Sequence, residues 1–208
     1  MKKLFLLSLL TYLLTACSSY RISYNEKNPF KKAVVFTKTD KEIIYIPMMH
    51  LGQAVFYEKI KNFLAQKRTE GYKVYYEGLK YGTSDPAEQD TLLMKVRKIT
   101  GYHFKGIYTD KNNRTSPFRK GFDKYTRQTD ENTGIDYDKD FRVDLNMRQL
   151  IDQIEADKEP IVLEPCDYTT SPDEEYKCKQ YSQYSKLFLR TYRDEYLLAS
   201  LLATPHKK

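Results

Sequence analysis

Residues Glu42-Ile43-Ile44-Tyr45-Ile46-Pro47 decide the reading of this chain, together with the next stretch: Val55, Phe56, Ile60, Phe63 and Leu64 at helical spacing, Gly71, and then Lys73-Val74-Tyr75-Tyr76-Glu77. A β-branched run, an amphipathic repeat and a second β-type run in succession predict a β-α-β unit over 42–77. The helix should occupy Gln53 to Glu70, stopped by Gly71, and the two strands should be parallel with a right-handed crossover. Upstream, Ala33-Val34-Val35-Phe36-Thr37 is separated from the Glu42 run by Lys38-Thr39-Asp40-Lys41, which predicts a hairpin.

Working outward, Asp85-Pro86-Ala87-Glu88 reads as an N-cap, a first-turn proline and an acidic third position, opening a helix over 86–100 that ends at Gly101. Residues 101–141 carry few apolar anchors and give no clear element. Leu145, Leu150, Ile151 and Ile154 predict a helix over 145–157, and Pro160-Ile161-Val162-Leu163-Glu164 a short buried-type strand. Residues 172–203 lack an interior Gly or Pro and read as one long helix or a broken pair, ended by Pro205. The expected class is α/β: a mixed sheet with an N-terminal β-hairpin, parallel β-α-β units and a long C-terminal helix.

The 208 residues, with 40% hydrophobic and 30% charged side chains and only 8 Gly and 8 Pro, suit one folded domain and argue against collagen-like or wholly disordered chains. Trp is absent while Tyr reaches 19, so aromatic burial must use rings whose hydroxyl needs a partner. The opening Met1 to Cys17 combines two lysines, an apolar run from Leu4 to Leu14 too short to span a bilayer comfortably, and small residues. It reads as a signal peptide over 1–16. Leu14-Thr15-Ala16-Cys17 resembles the bacterial lipobox, which makes Cys17 the lipidation site and the membrane a partner through N-terminal acyl chains. Residues 17–31 then form a tether and 32–208 the domain. Ser18 is not Asp, which by the sorting rule for such lipoproteins implies the outer membrane in a Gram-negative cell envelope. That route leads to an oxidising compartment, where the remaining Cys166 and Cys178 are expected to form a disulfide; their spacing lacks the paired pattern of a zinc site. The formal charge of +7 is spread among 28 acids without a long basic block, which argues against nucleic acid as a partner.

Parallel sheets gather ligands beyond the carboxyl ends of their strands. Three potential proton-transfer groups or metal ligands stand there: His50, Glu77 and Glu164. His50 and Glu77 are the closer pair on topology, since the β-α-β geometry makes their strands neighbours, whereas no signal fixes the Glu164 strand. The bland alternative is a histidine in a turn and a glutamate paired with one of 35 Lys and Arg residues.

The segment Ile46-Pro47-Met48-Met49-His50-Leu51-Gly52, continued by Phe56-Tyr57 and closed by Tyr75-Tyr76-Glu77-Gly78, resembles the opening of the TraB/GumN (TIKI-related) family. Phe141-Arg142-Val143-Asp144-Leu145 and Tyr192-Arg193-Asp194-Glu195-Tyr196-Leu197-Leu198-Ala199 are weaker echoes of later family segments. The resemblance implies a mixed α/β fold and, for active members, metal-dependent hydrolase or protease chemistry on peptides or extracellular factors. By that analogy His50 and Glu77 would bind a divalent ion (Mn, Co or Zn) or activate water, and Arg193 would stabilise an anionic group. Two departures stand out. Pro47 replaces a glycine of the motif, and the second G-x-x-H segment expected after the late helix is absent; Gly101-Tyr102-His103 does not replace it on spacing, and His206 reads as a frayed tail residue. Losing a metal ligand lowers affinity greatly. The implied protein is a lipid-anchored envelope hydrolase with an incomplete site, or a non-enzymatic module that binds a peptide or envelope protein through the same cleft.

Overall fold

The computed structural model describes residues 26–206 apart from 39, 40, 106, 108, 109, 111 and 115. The expected signal peptide over 1–16, the expected lipidation site Cys17 and most of the expected tether lie outside the described residues. The first strands, β1 (Val34–Lys38) and β2 (Lys41–Tyr45), form the expected antiparallel hairpin, with Val35 opposite Ile44 and Phe36 opposite Ile43. Then come β3 (Leu51–Gly52), helix α1 (Ala54–Thr69), β4 (Tyr75–Tyr76) and helix α2 (Pro86–Thr100). The middle of the chain supplies β5 (Thr126–Arg127), one turn of helix α3 (Asp130–Thr133) and β6 (Phe141–Arg142). Helices α4 (Met147–Asp157), α5 (Pro165–Thr169) and α6 (Tyr192–Ala203) complete the chain, α6 continuing directly from a π-helical turn over Leu187–Thr191.

The helix ends are set by local chemistry. At α2 the Asp85 side chain accepts from the Ala87 N–H at 3.0 Å, Pro86 occupies the first turn, and Gly101 closes the helix at φ 79° with its N–H on the Arg97 carbonyl. At α4, Asn146 and Gln149 form a reciprocal capping box, each side chain accepting from the other's backbone N–H at 2.9 Å.

The class is mixed α/β with parallel and antiparallel pairs, but among the described residues the strands fall into three two-stranded sheets: β1-β2, β3-β5 and β4-β6. The β-α-β unit expected over 42–77 is therefore not a hydrogen-bonded one. The hairpin takes the ladder of β2, which ends at Tyr45, just before Pro47 removes a donor. Strand β4 instead pairs in parallel with β6, Tyr75 opposite Phe141 and Tyr76 opposite Arg142, and α2 lies in that crossover. Residues 160–164 form no strand: Ile161 is buried and donates its N–H to Glu155, Val162 is exposed, and the Glu164 N–H goes to Asp167 at the start of α5. Side chains take the bonds that a ladder would have used. The C-terminal helical stretch starts near residue 185, later than the sequence suggests, because 172–181 is pinned as a loop.

Among the described residues two apolar clusters result. The larger joins Leu92, Leu93, Val96 and Ile99 of α2, Leu150, Ile151 and Ile154 of α4, Ile161, and Phe188 and Tyr192 of the C-terminal stretch. The smaller centres on Phe56, Tyr57 and Ile60 of α1. The Cys166–Cys178 disulfide forms, with 5.9 Å between Cα atoms, and closes a loop whose carbonyls at Thr170, Ser171 and Glu174 receive the buried Arg97 guanidinium. His206 is not a frayed tail residue. Its imidazole lies against Tyr75 and Phe141 and hydrogen-bonds the Tyr75 hydroxyl, while Lys41 donates to the Leu201, Leu202 and Thr204 carbonyls at the end of α6. A cation on terminal helix carbonyls and a ring tilted against two others hold that end in place.

Candidate functional site

The carboxyl ends of β4 and β6 lie side by side, so the acids just beyond them, Glu77 and Asp144, arrive together. Asp144 is buried and accepts three hydrogen bonds: Arg193 Nε at 2.9 Å, Arg193 Nη2 at 2.7 Å and the Gly78 N–H at 3.1 Å. Arg193 Nη2 also reaches Glu77 Oε2 at 3.2 Å. Arg142 ties the two strand ends from beneath, donating to the Gly78 and Asp144 carbonyls at 3.0 and 2.9 Å. A two-toothed guanidinium–carboxylate pair of this kind fixes orientation as well as charge.

His50 comes from the connection between β2 and β3. Its carbonyl accepts from the Gln128 N–H at 2.9 Å, extending the β3–β5 ladder by one bond, and its ring stands edge-on to Phe118 with centroids 5.9 Å apart. Behind it the Tyr57 hydroxyl donates to the Met49 carbonyl at 2.8 Å. Gly52 allows this close packing, since a Cβ there would meet Met49 Cε at 2.9 Å and Tyr57 Oη at 3.3 Å.

His50, Glu77 and Arg193 all line one cavity of about 1110 Å³. It lies where the two apolar clusters fail to merge: Ile60, Phe63 and Leu64 of α1 form one wall, Leu79, Phe104 and Met147 another, and Leu189, Leu197 and Leu201 of the C-terminal helix a third. Tyr45, Tyr75, Tyr76 and His206 add rings. The space is an apolar hollow with a polar corner, the usual form of a small-ligand or peptide site.

The corner's electrostatics arise from this placement. Desolvation by the surrounding cavity lining, and then the Arg193 charge, hold the His50 imidazole below its ordinary value although the residue keeps exposed surface, which favours its neutral form. Partial desolvation at the cavity rim pushes the Glu77 carboxyl up although its side chain is 44% exposed; Arg193 opposes this, and Asp144 and Asp194 add to it. The Tyr45 hydroxyl is raised by burial and by the nearby Glu77 and Asp194 charges. The arrangement can accept and donate hydrogen bonds at a bound polar group while the walls hold an apolar one.

Of the sequence-derived candidates, the structure thus brings His50, Glu77 and Arg193 to one cavity and leaves Glu164 out. Glu164 lies at the start of α5, 3.3 Å from the Lys98 ammonium, which is also bound by Asp167 at 2.6 Å; it does not line the cavity. The expected trio of His50, Glu77 and Glu164 does not assemble, because its third strand does not exist. A divalent ion of the kind implied needs three or more N, O or S donors converging on one point. Among the described residues no group of three or more His, Cys, Asp or Glu side chains could hold one, and Arg193 already occupies Glu77. The residues do not fit a resident metal.

Asp144 is the residue that site reasoning from sequence misses. Its signal is present in Phe141-Arg142-Val143-Asp144, an acid directly after a β-type run, as Glu77 is after Tyr75-Tyr76. Comparison of the chain with family models, curated proteins and solved structures gives no match.

Proposed function

We propose that this chain is a lipid-anchored protein of the bacterial cell envelope whose TraB/GumN-like domain is a binding module, its cleft retaining the shape of a hydrolase site without the metal chemistry. The carrying observation is the polar corner itself: Glu77 and Asp144 are tied to Arg193, at the end of an apolar cavity of about 1110 Å³ that His50 also lines. A guanidinium seated on the carboxylate repels the divalent ion that the related chemistry requires, yet leaves a hollow large enough for several side chains of a peptide or envelope protein segment. The lipobox-like Leu14-Thr15-Ala16-Cys17 supports the anchor, and the Cys166–Cys178 disulfide agrees with an oxidising compartment.

The test is thermal unfolding of the purified chain with manganese, cobalt or zinc, and separately with a tryptic digest of casein as the peptide probe. A module gives no rise in Tm with metal, a rise with peptides that Leu189→Arg removes, and intact peptides afterwards. Metal-linked stabilisation together with peptide cleavage that His50→Ala abolishes would establish the hydrolase instead.

A further inference from the structure

The N-terminal hairpin is an anomaly for a soluble domain. Val34, Val35 and Phe36 of β1 are 44%, 57% and 56% exposed in succession. Successive strand residues face opposite ways, so both faces of β1 meet solvent. Its outer edge has no strand partner among the described residues. Soluble proteins usually blunt such an edge or cover it.

Charge indicates what covers this one. From Lys27 to Thr39 the sequence carries four lysines, at 27, 31, 32 and 38, and no acid. Acids flank the segment: Asp40 follows it directly in the sequence, Glu26 precedes it and pairs with Lys31 at 3.4 Å, and Glu42 on β2 accepts from the Tyr72 hydroxyl, so residues 26–42 hold five lysines against three acids. Lysines flanking exposed aliphatic and aromatic residues form the composition that settles at an anionic lipid interface. Position supports the same occupant. Eight residues lie between Cys17 and Glu26, so whatever path they take, covalent geometry keeps Glu26, eight positions ahead of β1, within about 32 Å of the modified residue. A weak surface contact held at that range becomes a persistent one.

We propose that the β1 edge of the hairpin, with Val35 and Phe36 at its apolar centre and Lys31 and Lys32 beside it, docks onto the anionic bilayer surface that holds the acyl anchor. This rests on the lipid-anchored reading of the chain. Docking lays the domain against the membrane by its first strand instead of letting it swing on the tether.

The absence of Trp from the chain makes the test direct. Phe36→Trp places a single indole on β1, and Tyr168→Trp places one at a position that is 65% exposed on α5 as a control. Each full chain is purified from the membrane fraction and reconstituted with phosphatidylcholine vesicles containing phosphatidylglycerol and brominated lipid. The expected result is a blue shift and at least about twofold bromolipid quenching for Phe36→Trp, none for Tyr168→Trp, and loss of the quenching with Lys31→Glu plus Lys32→Glu or at high salt. Vesicle-bound chain whose Phe36→Trp emission stays unquenched overturns the docking while leaving the anchor intact. A chain that does not fractionate with membranes overturns the anchor and the docking with it. A blue shift that grows with protein concentration without lipid overturns docking in favour of pairing between two copies.

Discussion

Arg193→Met separates the two ion pairs that Arg193 makes, because they have very different surroundings. The Asp144 side chain is 1% exposed and that of Glu77 is 44% exposed. Methionine keeps much of the apolar stem of Arg193 while removing the guanidinium. Asp144 would be left buried, keeping the Gly78 N–H as a donor and losing both bonds from the guanidinium. Removing one member of a buried pair costs about 3–5 kcal/mol. Arg193 itself is 19% exposed, so some water can reach the gap, which places the loss near the lower end, at about 3 kcal/mol. Glu77→Gln disturbs only the exposed contact at 3.2 Å and should cost about 0–1 kcal/mol. Equilibrium urea unfolding of the three proteins measures both, with an unchanged m value confirming that the denatured state is comparable. Replacing both partners, Arg193→Met with Asp144→Leu, should recover part of the loss, since the stranded charge is gone. An Arg193→Met loss below about 1 kcal/mol, or a Glu77→Gln loss equal to it, would refute the assignment of Asp144 as the residue that seats the arginine.

Gly82→Ala should destabilise by about 2 kcal/mol or more, read from Tm or urea midpoint: Gly82 has φ 87°, and a Cβ there would collide with Asn146, whose side chain caps α4. Replacing Cys166 and Cys178 with alanine should cost about 3 kcal/mol by the loop-entropy relation for so short a loop, and the exchange of the Arg97 N–H protons should speed up as its carbonyl cradle loosens. The wild-type protein should also lose stability as pH falls from about 7 to 5. His50 and His103 are both held below the ordinary histidine value, His50 by desolvation from the cavity lining and by Arg193, His103 by burial and Arg97. The folded state therefore holds fewer protons than the unfolded one; their contribution is complete above the unfolded value and is lost as pH drops towards the folded one. Unfolding curves of His50→Asn and His103→Asn across that range should each show a shallower decline than the wild type.

What the sequence makes legible here is what neighbouring residues decide. Helix α2 starts at Pro86 and stops before Gly101 because Asp85 and Gly101 supply the cap chemistry on the spot, and α1 and α4 arise from apolar spacing within a few turns. The hairpin is as local. Strand partnership is different, since the β4–β6 pair joins residues 66 positions apart and each strand contributes two ladder residues. So short a ladder leaves no alternation to read, and proximity in sequence wrongly favours β2 as the partner of β4. The apolar run 160–164 fails for a related reason: Ile161 is core and Val162 is surface, a pattern that fits a buried loop as well as a strand. At the site, His50 and Glu77 are legible one by one as side chains beside β-type runs, whereas Arg193 comes into view only through the family resemblance. Asp144, which joins Arg193 beside Glu77, depends on the strand pairing and so is not legible.

The helix that delivers Arg193 shows how geometry beyond any periodic rule builds this cavity. Leu189, Arg193, Leu197 and Leu201 all line it, and they are spaced four residues apart. On a regular α-helix, with 3.6 residues per turn, each step of four turns the side chain about 40° past its predecessor, so three steps would swing the last roughly 120° from the first. The wider turn over Leu187–Thr191, in which the Tyr192 N–H reaches back five residues to the Leu187 carbonyl, turns less per residue and offsets part of that drift in the first step. Phe188 stays in the larger apolar cluster, and the Tyr192 hydroxyl donates to Asp157 at 2.7 Å, so the wide turn is bracketed by contacts on the opposite side. With those two residues fixed in the core, the extra width lets Leu189 and Arg193 face the same hollow. One helix can therefore supply both the apolar wall and the guanidinium that closes its polar corner.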